Sequence, residues 1–163
     1  MSTLIETFAG VPAASRLGQA LQARAEILRL SEAAHDAVIL PRDPGGLSHA
    51  LRAALAARMC RHLGDAALVG HYESYLAHSD DLDVTALAHP GADSGDVRHD
   101  AMARHADLLT LSPRKAARAD ITALKEVGIS EADIVRLSEL AAFVNYQQRV
   151  IAGVRLLKQV GMS

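Results

Sequence analysis

From Ser130 to about Val160 the chain carries one long helical pattern, and this constrains the fold more than any other feature. Ile134, Leu137, Ala141, Val144, Ile151 and Val154 recur at helical spacing and form an apolar stripe. Ser130-Glu131-Ala132-Asp133 opens the pattern as a capping box with Asp in place of the usual Glu, and Gly161 ends it. A long helix with one apolar stripe needs other elements to bury it. The composition says those elements are helices as well. Half the residues are apolar but only 3% are aromatic, and alanine and leucine dominate. The expectation is an all-α fold of about six or seven helices. With 163 residues, one domain with a sizeable core is expected over residues 1–163.

Local signals divide the rest of the chain. Residues 1–13 read as an irregular arm ending near Gly10-Val11-Pro12. Leu17, Leu21, Ile27, Leu28 and Leu30 place a helix from Ser15 to about Ala37. Two prolines and a glycine pair break the chain between Ile39 and Gly46. Ser48 caps an alanine-rich helix from His49 to Leu63, which a neighbouring backbone can approach closely. Gly64-Asp65 separates it from a helix over Ala66–Ala77. Ser79-Asp80-Asp81-Leu82-Asp83 reads as an acidic turn, and His89 to Gly95 as a loop. A helix from Asp96 to Leu111 stops at Ser112-Pro113, and a short one from Asp120 to Val127 stops at Gly128.

Charge and cysteine count narrow the functions. The formal net charge is −2 and no stretch is strongly basic, which speaks against a nucleic-acid partner. No run reaches the length of a membrane span, and Met1 to Glu6 lacks the basic start and apolar core of a signal peptide. A cytoplasmic protein without a membrane partner is the expectation. One cysteine forbids an internal disulfide and any cysteine-rich metal site.

Several residues invite a chemical reading beside a structural one. Cys60, with Arg58, Arg61 and His62 nearby, reads as a one-cysteine peroxidatic residue or as a small buried packing residue. His71, followed by Tyr72 and Glu73, is the best acid–base candidate, because imidazole carries protons near neutral pH; the alternative is an ordinary helix histidine. Asn145, Tyr146, Gln148 and Arg149 interrupt an otherwise apolar helix. Asn145 and Arg149 share a face at i, i+4, reading as a pocket lining with an arginine for an anionic ligand, or as a hydrogen-bonded network. His35, His49, His62, His78, His89, His99 and His105 form no metal-binding motif: His99 and His105 are six apart, and His35-Asp36 and His99-Asp100 are adjacent rather than facing. Asp80, Asp81 and Asp83 lack the ligand series of a calcium loop. No metal site and no cofactor is expected.

The stretches Ala119 to Ser130 and Ala142 to Gly153 resemble the C-terminal part of the carboxymuconolactone decarboxylase / AhpD-like alkylhydroperoxidase superfamily. The hairpin Leu51 to Arg58 through Gly64 to His71 resembles that superfamily's central helix pair. Leu4 to Val11 resembles the leader of some members. The resemblance implies an AhpD-like helical fold, assembly into homo-oligomers (trimers or hexamers) and peroxidase-related, antioxidant or decarboxylase-like activity. It places a pocket near His71, with Tyr72, Asn145 and Arg149 toward a small-molecule ligand. Redox-active members carry a Glu, a Cys-x-x-Cys pair and a His on the hairpin. Setting Arg52 on the family's Arg puts Ala53 at the Glu position, Asp65 and Leu68 at the two Cys positions and Tyr72 at the His position, with His71 one residue early. Moving the register by one matches only His71. Asp65 and Leu68 cannot form a disulfide, so a Cys-x-x-Cys mechanism is not expected. Three readings follow: a peroxidase-related protein without the dithiol centre, in which any redox activity depends on Cys60; a thiol-independent decarboxylase- or isomerase-like enzyme on a small carboxylate, using His71 or Glu73 with Arg149 or Arg52; or a non-catalytic oligomeric or ligand-binding protein.

Overall fold

A computed structural model describes residues 2–77, 79 and 81–161. The described residues form nine α-helices and one 3-10 turn, with no strand. The helices are α1 (Leu4–Ala9), α2 (Arg16–Gln22), α3 (Ala25–Ile39), α4 (His49–His62), α5 (Ala66–Ser74), α6 (Leu82–Ala86), α7 (Val97–Leu111), α8 (Arg118–Glu126) and α9 (Glu131–Gln159). The all-α expectation holds, but the count exceeds six or seven. The excess comes from two short helices, α1 and α6, and from a break that splits the first long helix in two.

The alanine-rich helix α4 is the centre of the molecule. Every residue from Leu51 to Cys60 is buried. A helix surrounded on all sides has no polar face, and small side chains let its neighbours come close. α3, α5, α6, α7 and α9 all pack against it. The long helix α9 runs along the assembly and touches α1, α3, α4, α7 and α8. Its stripe of Ile134, Leu137, Ala141, Val144, Ile151 and Val154 is buried as the periodicity required.

The arm is not irregular. Thr3 caps α1 and Glu6 returns the bond, its Oε2 accepting from the Thr3 backbone N–H at 2.9 Å. Ile5 and Ala9 enter the core. Two cations of α9 close the other end of α1: Arg155 donates to the Phe8 carbonyl, and Lys158 donates to that of Gly10 at 2.7 Å. The helix expected over residues 15–37 breaks at Ala23-Arg24, where Arg24 leaves helical geometry. Gly18 lies so close to the preceding loop that a Cβ there would collide with the Pro12 carbonyl oxygen.

Side chains fasten the loops. Arg52 is 3% exposed, and its guanidinium donates to the carbonyls of Leu47, Val38 and Pro44, which locks the proline–glycine break. Asp133 at the start of α9 accepts from the Ser130 hydroxyl, the Gly46 N–H and Arg136. Its carboxylate thus fastens that loop to α9, and this is where it departs from the expected reciprocal cap. The acidic segment leads into α6: Asp81 caps it by accepting from the Val84 N–H at 3.0 Å, and Asp83 lies in its first turn. Asp80 and His78 lie outside the described residues. α8 begins at Arg118, two residues before Asp120, which accepts from the Ala117 N–H at 2.7 Å.

Candidate functional site

Cys60 is fully buried at the C-terminal end of α4. Burial, reinforced by the charge of Asp65, pushes its thiol up to about 12. The basic residues that would activate it are committed elsewhere. Arg58 clasps both carboxylate oxygens of Asp107 at 2.8 Å, and its Nη1 donates to the His89 carbonyl at 2.9 Å. His62 contacts Asp107 at 2.8 Å. Arg61 donates to the Ala88 carbonyl and pairs with Glu73, which places Glu73 in an ion pair.

The α4–α5 hairpin turns through Gly64, whose φ of +78° only glycine adopts freely. Asp65 follows as the N-cap of α5, accepting from the Leu68 N–H at 3.2 Å. Arg155 of α9 grips the same carboxylate at 2.6 and 3.3 Å while also donating to the Phe8 carbonyl. Leu68 is fully buried in the core. The two positions that correspond to the redox cysteines in the resemblance therefore hold a helix cap tied to α1 and α9, and a core leucine. Ala53, at the Glu position, is fully buried as well.

His71 lies in an aromatic cluster. Its Nε2 is 3.2 Å from the Nε2 of His35 on α3. Phe8, Tyr72 and Tyr75 set their rings edge-on to it at 5.1–5.3 Å, and Phe143 flanks His35 at 6.0 Å. The other nitrogen of His35, Nδ1, is 3.1 Å from the Asp36 carboxylate. A carboxylate accepts, so with both rings neutral the arrangement that satisfies both contacts puts the His35 proton on Nδ1 and leaves its Nε2 as acceptor for the Nε2–H of His71. That assignment leaves Nδ1 of His71 with a lone pair. Burial first, then His35, lowers the His71 pKa to about 4, so the ring is neutral at pH 7. Tyr72 is fully buried and donates to Gln147 Oε1 at 2.5 Å, and burial raises its phenol far above the usual range.

The lowered His71 pKa has a measurable consequence. Between pH 6.5, the ordinary imidazole value, and about 4, the unfolded chain binds a proton that the folded one refuses. The contribution of this group to stability is full above pH 6.5 and is lost as pH falls to about 4. His105, also buried and lowered, acts in the same direction. Urea unfolding across that window is expected to show stability rising with pH, with a shallower slope in His71→Gln. Equal slopes would mean that His71 titrates normally.

Asn145 and Arg149 lie on the other side of α9. Asn145 Nδ2 donates to the Ala141 carbonyl at 2.9 Å and to Thr110 at 3.2 Å. Arg149 Nη1 donates to the Asn145 carbonyl at 3.0 Å and to its Oδ1 at 3.1 Å. Both line a groove of about 700 Å³ between α7, α8 and α9. The five ligand and acid–base candidates do not form one site. His71 and Tyr72 belong to the aromatic cluster, Asn145 and Arg149 to the groove, and Glu73 to the ion pair with Arg61. Sequence reasoning missed the pairing of His71 with His35, which comes from a separate helix with no spacing signal to announce it. Gln147 was missed too, though a polar residue on the apolar side of α9 was its signal. Among the described residues no group of three or more His, Cys, Asp or Glu side chains is placed to hold a metal, and no helix is long and apolar enough to cross a membrane.

With this geometry in hand, comparison with known proteins places the fold. No protein-family model matches the chain, and no curated protein sequence matches it. Solved structures do. An uncharacterized peroxidase-related protein from Silicibacter sp. TM1040 superposes with a TM-score of 0.69 at 19% identity, over 80% of this chain and 69% of that one. A second, described as an alkylhydroperoxidase AhpD core and an uncharacterized peroxidase-related protein from Ralstonia eutropha JMP134, superposes with a TM-score of 0.58 at 23% identity, over 91% of this chain and 78% of that one. The class is an all-helical protein built around a buried alanine-rich helix. The fold is AhpD-like, as the resemblance implied.

Proposed function

We propose that this chain is a peroxidase-related member of the AhpD-like / carboxymuconolactone decarboxylase superfamily that works without thiol chemistry. The supporting observation is the state of the one thiol: Cys60 is sealed in α4 and held protonated, and Asp65 and Leu68 stand where a dithiol would be. A peroxidatic thiol must be accessible and ionised, and Cys60 is neither. Intact mass after exposure to low peroxide tests this. The expected result is no peroxide-dependent mass shift, as in the Cys60→Ala control. Rapid formation of a sulfenic acid or an intermolecular disulfide would overturn it.

A second reading rests on the chain Asp36–His35–His71. A neutral imidazole with a free lone pair, oriented by a second imidazole and a carboxylate, suits proton transfer on a small carboxylate in a decarboxylase- or isomerase-like reaction. Deuterium uptake from solvent into a panel of small unsaturated and keto acids, followed by NMR, would show it. The His71→Gln variant should abolish uptake and Cys60→Ala should not; no uptake with the native protein rejects this reading. We also propose a cytoplasmic homo-oligomer, trimeric or hexameric. The exposed apolar side chains Ile27, Leu30, Leu156 and Val160 support association, which light scattering would measure.

A further inference from the structure

We propose that the groove between α7, α8 and α9 is a binding site for an amphipathic carboxylate, separate from the histidine cluster. Its volume of about 700 Å³ is in the range of ligand pockets. Leu109, Pro113, Ile121 and Ala141 give it apolar walls. Arg118 from α8 and Arg149 from α9 stand at its edge, with His105 within, and no acidic side chain lines it. Asp120, two residues beyond Arg118, accepts from the Ala117 N–H as a cap. The charge of the site is therefore positive, and the complementary occupant is an anion with an apolar body.

Arg149 is built for this task. Asn145 holds one end of its guanidinium through two hydrogen bonds, and Asn145 is itself fixed to Thr110 of α7 and to α9. Nε and Nη2 make no hydrogen bond to any described residue, nor does the Arg118 side chain. A guanidinium already held in place loses little freedom on pairing, and its planar fork matches a carboxylate. Phe143 and Gln147 contact the histidine cluster, whereas Ala141, Asn145 and Arg149 line the groove, so α9 separates the two places. This site depends on neither reading of the histidines.

The test is calorimetric titration of the purified protein with decanoate, decan-1-ol and decyltrimethylammonium. Decanoate is expected to bind better than the alcohol, and the cation not at all. Arg149→Gln should weaken decanoate by about tenfold or more and leave the alcohol unchanged. Arg149 is exposed, so its replacement should leave the thermal midpoint near that of the native protein. Ala142→Phe, which puts a large ring into the groove from an exposed position, should block both ligands. Cys60→Ala and His71→Gln should bind decanoate as the native protein does, whatever they do to chemistry. Equal affinity for acid and alcohol, no binding of decanoate, or an oligomer that Ala142→Phe dissociates would each overturn the proposal. The last would mean that a second copy covers the groove.

Discussion

Replacing Arg58 by alanine is expected to destabilise the fold by about 3–5 kcal/mol, the largest effect of any single polar change in this chain. Arg58 is 4% exposed, and its guanidinium is bidentate to Asp107. It also donates to the carbonyls that close the segment between α6 and α7, at Leu87, His89 and Ala92. Alanine would remove this donor from the Leu87 and Ala92 carbonyls, leave the His89 carbonyl with only the Ala92 N–H, and leave Asp107 with only His62. Breaking one side of such a pair costs more than the pair contributes, because the partner stays in a poorly solvated place. Urea unfolding followed by helical circular dichroism would measure the loss. Arg29→Ala, which breaks a solvent-exposed pair with Glu26, is the control and should leave the urea midpoint unchanged. A loss below about 1 kcal/mol at Arg58 would show that water replaces its bonds.

Asp65→Ala is expected to cost about 2–3 kcal/mol, of which roughly 1 is the helix cap and the rest the charge-assisted contact with Arg155. The Asp65 side chain is 6% exposed and that of Arg155 34% exposed, so the pair is neither fully screened nor fully desolvated. Asp65→Asn separates the two parts, since an amide oxygen still caps α5 while the charge is lost. If alanine and asparagine cost the same, the ion pair carries the effect; if asparagine costs nothing, the cap does. A negligible loss in both would remove Asp65 from the structural role that now occupies a redox position. The same carboxylate caps α5 and holds Arg155 of α9, which in turn donates to the Phe8 carbonyl of α1.

The helical architecture was legible because it is written in local patterns. The stripe on α9, Ser48 before α4 and the glycines at residues 64, 128 and 161 each act through neighbours in the sequence, and each stands where it was expected. Boundaries were legible only where a strong cap marked them. α1 was missed because its signal is a Thr3–Glu6 cap on a helix of 6 residues, too short to show a period. The split between α2 and α3 carries no glycine or proline to announce it.

The sequence by itself determined the all-α class, an alanine-rich helix from His49 that neighbours can approach closely, and the absence of a Cys-x-x-Cys pair, since each follows from residue identity and spacing. Only the tertiary structure decided which polar residues meet. His35 and His71 are 36 residues apart and Asp65 and Arg155 are 90 apart, and nothing in local spacing carries information across such distances. Whether Cys60 is a reagent or a packing residue, and whether Arg149 faces a groove or a partner side chain, depends on solvent exposure and neighbouring charge. Those are set by how helices cross, and a one-dimensional pattern does not contain the crossing.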